Sequence, residues 1–208
     1  MKKGFFITLE GPDGCGKTTQ SKLLKEYLLK KGSAVLHTRE PGGTTFAENL
    51  REIILNPRYH IFPMAELFLY EASRAQHTEE VIRPALRSKK TVICERYTDA
   101  TYAYQGYGRG LDLSVIKTLN RIATAGLAPD LTIVLDIGVR EGLARAKGNS
   151  RGKKGDRLER ENRAFHERVR KGYFALAKKE PRRIKIVSAE GSIQEVRDRI
   201  RALVEKHV

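Results

Sequence analysis

No stretch of this chain approaches the run of about 20 apolar residues that a membrane-spanning helix requires, and only two of its 208 residues are cysteines. The first lack excludes a helical membrane protein, and no membrane partner is expected. The second excludes a disulfide scaffold, and Cys15 and Cys94 have no metal-ligand spacing. Both are expected as reduced, buried thiols in a cytoplasmic chain. The five histidines are scattered and read as structural or solvated, with no nucleophilic triad among them. Met1-Lys2-Lys3 runs straight into an apolar stretch, so no signal peptide is expected. There is no internal repeat and no sign of a second domain, and the whole of 1–208 is expected to form a single domain.

Negative charge is in short supply: 40 Lys and Arg face 25 Asp and Glu, a formal net of +15. Such an excess raises nucleic acid as a partner, but no RNA- or DNA-binding motif accompanies it. Much of the excess sits in one segment, Arg145 to Lys185, with 16 cations against 5 anions. Handling several phosphates at once accounts for part of that segment, and solvated surface for much of the rest. No nucleic-acid partner is expected.

What is present begins at Gly11. Gly11-Pro12-Asp13-Gly14-Cys15-Gly16-Lys17-Thr18 has the G-x-x-x-x-G-K-T spacing of a phosphate-binding loop. Its glycines let successive N–H groups converge on phosphate oxygens, and the helix that follows adds its positive end. In such a loop Lys17 reaches the β- and γ-phosphates and the Thr18 hydroxyl holds Mg²⁺; Thr19 completes the nucleotide-binding stretch. The setting agrees: Phe5–Leu9 reads as a buried strand, and Leu23, Leu24, Tyr27 and Leu28 recur at helical spacing behind the loop. A guanine-reading Asn-Lys-x-Asp stretch is missing, which argues against a GTPase-like switch.

Further apolar runs at Ala34–Leu36, Thr91–Cys94, Leu131–Leu135 and Ile184–Val187 alternate with helical patterns. Five such strands predict an α/β fold with a parallel sheet covered on both faces and ligands at the strands' carboxyl ends. Ile193, Val196, Ile200 and Leu203 form one helix face; Leu158, Phe165, Val169, Tyr173 and Leu176 read as another. Between them Lys147–Gly155 has four cations, three glycines and no apolar residue, and reads as a mobile basic lid spanning about 145–158.

Near the predicted strand ends lie TREPGGT (38–44), LYEASRAQH (69–77), ERYTDATYAYQGYGRG (95–110) and GDRLE (155–159). Taken with the phosphate loop, these resemble the thymidylate kinase family over nearly the whole of Gly11 to Glu159. REPGG followed by AYQGYGRG is far more specific than the loop alone. Beyond Glu159 the likeness is one of pattern. The resemblance implies the P-loop nucleoside monophosphate kinase fold, a five-stranded parallel sheet with helices on both faces. It also implies transfer of the ATP γ-phosphate to dTMP, giving dTDP and ADP for dTTP synthesis by de novo and salvage routes, with Mg²⁺ as cofactor, ATP as co-substrate and a homodimer as the assembly. Phosphoryl transfer is largely positioning and charge stabilisation, which suits a chain without a covalent nucleophile.

By the same resemblance Asp13 bonds the sugar 3′-hydroxyl, although an Asx turn bracing the loop is a second reading. Tyr70 stands where relatives usually carry Phe, stacking on thymine; a core aromatic is the alternative. Arg74, Thr101 and Gln105 read the base edge. Arg39, Arg51 and Arg96 clamp the monophosphate, and Glu40 and Pro41 shape the turn beside it; Arg51 also reads as a surface helix arginine. Glu95 replaces the family's usual Asp near Mg²⁺, and Ala100 replaces a common Ser. The loop interior holds no arginine, so the resemblance is to the bacterial, lid-arginine type, with Arg151 first and Arg157 next as the catalytic cation among Arg145, Arg151 and Arg157. Ser188-Ala189-Glu190-Gly191 resembles the loop beside adenine. Acceptors such as dUMP stay open as alternatives, with REPGG and AYQG favouring dTMP.

Overall fold

The computed structural model describes residues 4–149 and 155–207. Five strands form one parallel sheet: β1 (Phe6–Glu10), β2 (Val35–Arg39), β3 (Thr91–Glu95), β4 (Leu131–Asp136) and β5 (Ile184–Ser188), in spatial order β2-β3-β1-β4-β5. All five expected strands form; several run one to three residues further toward their carboxyl ends. Phe6 pairs with Val92, Leu9 with Glu95 and Ile7 with Leu131, so the order reverses at β1, where the phosphate loop leaves the sheet. That reversal opens the crevice in which doubly wound sheets hold ligands.

The central strands are buried on both sides, as their near-continuous apolar runs require. On one face Ile7, Leu9, Ile133 and Leu135 pack against Leu24 and Leu28 of α1 (Lys17–Lys30) and against Val196 and Ile200 of the last helix. On the other, Val134 and Ile184 meet Phe165, Val169, Tyr173 and Leu176, while Phe6, Val92 and Cys94 meet Ile82, Leu86 and Tyr97. Both cysteines are free and buried.

The remaining helices are α2 (Thr45–Leu55), α3 (Pro63–His77), α4 (Arg83–Arg87), α5 (Thr98–Thr101), α6 (Leu113–Ala123), α7 (Val139–Asn149), α8 (Arg163–Lys179) and α9 (Ile193–Val204). Thr44, Asp112, Asn162 and Ser192 cap α2, α6, α8 and α9 with side-chain acceptors. Leu158 does not belong to the α8 face. It lies in a turn before the Asn162 cap, though it packs into the same cluster as Phe165. Two π-helical stretches, Thr78–Ile82 and Tyr102–Gly108, widen the helical backbone locally; the second carries the AYQG motif and borders the cleft through Tyr104 and Gln105. No described helix is long and apolar enough to cross a membrane.

Candidate active site

At the carboxyl ends of β1, β2 and β3 opens a cleft of about 390 Å³. The phosphate loop forms one end. Gly11 and Gly14 sit at φ of 134° and 75°, a region that side chains avoid, and a β-carbon at Gly14 would collide with the Gly142 carbonyl of α7. Gly16 opens α1 at φ 90°. Asp13, Gly14, Gly16, Lys17, Thr18 and Thr19 face the cleft. Gly11 and Pro12 serve from behind: their carbonyls accept from Lys17 Nζ at 3.0 and 2.9 Å. Buried Cys15 lies 3.5 Å from the same ammonium.

Beside the loop, the Thr18 hydroxyl donates to Glu95 Oε2 at 2.6 Å. Ser21 Oγ donates to Glu95 Oε1 at 2.7 Å, and His37 Nε2 lies 3.2 Å from the same oxygen. Burial opposes the charge on Glu95, but the hydrogen bonds from His37, Thr18 and Ser21 prevail and hold its pKa at about 2. A hydroxyl and a firmly ionised carboxylate therefore converge at the mouth of the loop. Hard oxygen donors of this kind suit Mg²⁺, which takes the rest of its shell from water and phosphates. Among the described residues no group of three His, Cys, Asp or Glu could hold a metal.

Across the cleft the cations gather. Arg39, Arg51 and Arg96 all line it, with Glu40 and Pro41 between them. Arg51 Nη1 donates to the Pro41 carbonyl at 2.9 Å. Burial and the neighbouring charge of Arg39 lower the Arg51 pKa, the mark of cations crowded where an anion would relieve them. Arg39 is tied to the half-exposed carboxylate of Glu48. Arg96 adopts φ 67°, strained for a side-chain-bearing residue. It donates to Asp13 Oδ1 at 2.6 Å and to the Tyr104 hydroxyl at 2.9 Å, and lies 4.6 Å over the Tyr104 ring. Burial works against the Asp13 charge, but Arg96 and Lys17 lower its pKa. Asp13 thus touches both ends of the cleft, and the Asx-turn reading does not describe its contacts.

The floor is Arg74, 1% exposed. Its Nε donates to Glu40 at 2.8 Å; Nη1 lies 2.9 Å from Glu71, 2.8 Å from Thr101 Oγ1 and 2.8 Å from Asn120 Oδ1; Nη2 donates to the Tyr97 carbonyl at 3.0 Å. Burial acts to lower its pKa, yet Glu71 and Glu40 raise it, and the guanidinium stays charged. His77 braces Glu40 from behind at 3.0 Å. Tyr70, Ala100, Thr101 and Gln105 complete the wall, and burial keeps the Tyr70 phenol protonated.

A family model described as "Thymidylate kinase" matches residues 9–200. The chain belongs to the thymidylate kinase family. A thymidylate kinase from Syntrophotalea carbinolica is 52% identical over 200 residues, covering 94% of this chain and 93% of that one. One from Synechococcus sp. (strain JA-2-3B'a(2-13)) is 53% identical, covering 96% and 94%. The crystal structure of thymidylate kinase from Ehrlichia chaffeensis superposes with a TM-score of 0.78 at 35% identity, covering 98% of this chain and 99% of that one.

Of the two arginines expected to act from the lid, Arg157 is described and is engaged elsewhere. Arg157 does not line the cleft. Its Nε donates to the Ile54 carbonyl at 2.8 Å and its Nη1 meets Glu66 at 2.5 Å, beneath the acceptor wall. Arg145 pairs with Glu141 and reaches the Ala189 carbonyl, which places it at the predicted adenine-side loop. Arg151 lies outside the described residues. Sequence reading missed Glu10, Ser21, His37, Glu66, Tyr104, Asn120 and Tyr173. Ser21 was within reach, one helical turn after Thr18 on α1. Glu10 and Tyr173 were not: Tyr173 donates to Glu10 at 2.9 Å across 163 residues, and no local pattern announces such a pair.

Proposed function

We infer that this chain transfers the γ-phosphate of ATP to dTMP, as family membership and the closeness of its relatives support. The observation that carries the reading is the two-ended cleft: Lys17 and Thr18 at one end, Arg39, Arg51 and Arg96 at the other. One phosphate-binding end suits a triphosphate. The other suits a monophosphate, and the reacting groups meet between them.

Lys17 and the loop N–H groups hold the β- and γ-phosphates. Thr18 and Glu95 hold Mg²⁺, which when bound neutralises charge on the phosphate oxygens. Arg96, fixed by Asp13 and Tyr104, and Arg51 orient the acceptor phosphate so that its oxygen attacks in line. Asp13 receives the sugar 3′-hydroxyl, Tyr70 lies against the base, and Arg74, Thr101 and Gln105 read its edge. The basic lid supplies a further cation over the γ-phosphate. With Arg157 committed to Glu66 and Ile54, that role falls to Arg151.

The same reading takes a second copy of the chain as partner, in the cytoplasm. α3 packs between α2 and α6, and these helices leave Phe46, Ile53, Met64, Phe68, Val115 and Ile122 exposed. Apolar exposure on neighbouring helices suits an interface. Light scattering on Phe68→Asp should report a monomer where the native chain gives a dimer; a native monomer would refute this part.

The deciding assay follows ADP formation with ATP, Mg²⁺ and dTMP, dUMP, dCMP, AMP or GMP in parallel. Strong preference for dTMP is expected. Preference for another acceptor would overturn the substrate while leaving the donor end intact.

A further inference from the structure

Glu66, in the first turn of α3, is fully buried and carries an unusual load. Its Oε1 accepts from Gln105 Nε2 at 2.8 Å and from Arg109 Nε at 3.2 Å. Its Oε2 accepts from Arg109 Nη2 at 3.0 Å and meets Arg157 Nη1 at 2.5 Å. Burial opposes the charge, but hydrogen bonds from Arg109 and Gln105 and the charges of Arg109 and Arg157 outweigh it, so its pKa is lowered and the group is ionised. An ionised carboxylate only accepts hydrogen bonds. The Gln105 amide can therefore meet it only through its NH₂ end, which removes the usual freedom of a glutamine to turn around.

Gln105 lines the cleft next to Arg74 and Thr101. Glu66 takes one of the two Nε2 hydrogens and fixes the amide's orientation, so the end turned away from Glu66 and left for a ligand is Oε1, an acceptor. We propose that Glu66 is a specificity-positioning residue: it locks the Gln105 amide so that the pocket offers a carbonyl oxygen, and the incoming base must bring an N–H. This rests on the placement of the base edge at Gln105 proposed above. Beside that acceptor stands Arg74, which only donates. The wall thus presents a donor next to an acceptor. Thymine answers with O4 and N3–H. Cytosine offers an amino group and a bare N3 lone pair, wrong at both points. Leaving such polar groups unpaired is what lets a hydrogen-bonding site reject an analogue strongly. An unlocked amide could turn its NH₂ toward cytosine N3 and relax that rejection.

The test measures kcat/KM for dTMP and for dCMP in the native chain, Glu66→Gln, Gln105→Leu and the swapped double variant Glu66→Gln/Gln105→Glu, with thermal melts on each. A neutral amide at position 66 can donate or accept, so Glu66→Gln should lower the dTMP-over-dCMP ratio about tenfold, with the loss for dTMP falling on KM more than on kcat. In the swapped variant the new amide donates to a carboxylate at 105 whose other oxygen still accepts from N3–H, and the ratio should recover. If Gln105→Leu collapses the ratio while Glu66→Gln leaves it unchanged, the lock is wrong and the base reading stands. If Gln105→Leu itself leaves the ratio unchanged, the base is not read there and both ideas fall. Should Glu66→Gln melt too low to assay, the swapped variant decides: a preserved ratio supports the lock and a collapsed one overturns it.

Discussion

The two ends of the cleft are built from different materials. The donor end is mostly backbone: a glycine-rich turn, the start of α1, one ammonium that leans on two carbonyls of its own loop. The acceptor end is mostly buried side-chain charge, with Arg74 wedged among Glu40, Glu71, Thr101 and Asn120 and Glu66 gripped by Arg109 and Arg157. The difference follows from the task. Phosphates look alike, and N–H groups with a helix end suffice to hold them. Telling one pyrimidine from another takes fixed donors and acceptors, and these stay fixed only when partners lock them in low dielectric. Such networks are a weak source of stability while intact, and costly when broken.

The contrast can be broken most severely at its buried arginine. Arg74→Leu strands Glu40 and Glu71 without their cation and should lose about 3–5 kcal/mol of stability, read by urea denaturation, as well as base selectivity. At the donor end Lys17→Ala should leave folding nearly untouched yet lower kcat about 10²- to 10³-fold, the scale for removing one transition-state donor; comparable melts and a collapsed turnover would sharpen the contrast, and a large stability loss would erase it.

Between the two lies Glu10, fully buried at the end of β1. Burial and the charge of Asp99 push its pKa up to about 7, against the pull of Arg96, Tyr173 and the Tyr97 N–H. Its folded pKa exceeds that of the unfolded chain, so the native state holds the proton more tightly. The favourable contribution is complete below about pH 4.5 and is lost as pH rises toward 7. Glu10→Gln should therefore flatten the stability profile between pH 5 and 8, by about 2–3 kcal/mol at most, in denaturation curves at the two pH values. Smallest is Arg163→Ala on the exposed start of α8, where an i,i+4 pair with Glu167 should be worth under about 0.5 kcal/mol. A larger effect there would mean that surface pairs count for more in this chain than the buried networks imply.

How much could be read in advance follows the same division. The G-x-x-x-x-G-K-T spacing names its chemistry because each residue acts within one turn of its neighbours. The residues that line the cleft from REPGG and AYQG were legible by resemblance. Arg157 was not placed correctly by its motif, because a buried carboxylate some ninety positions earlier claims it. His37 passed as a scattered histidine until β2 and β3 paired and set it against Glu95.

The sequence by itself determined the five strands, the loop that cradles phosphate and the family, since periodicity and short motifs are local properties of the chain. Tertiary structure alone decided which carboxylate holds which cation, which way the Gln105 amide faces and that Arg157 is tied to Glu66. Those outcomes depend on groups that meet only when distant strands and helices pack, and that withdraw from water together as they do.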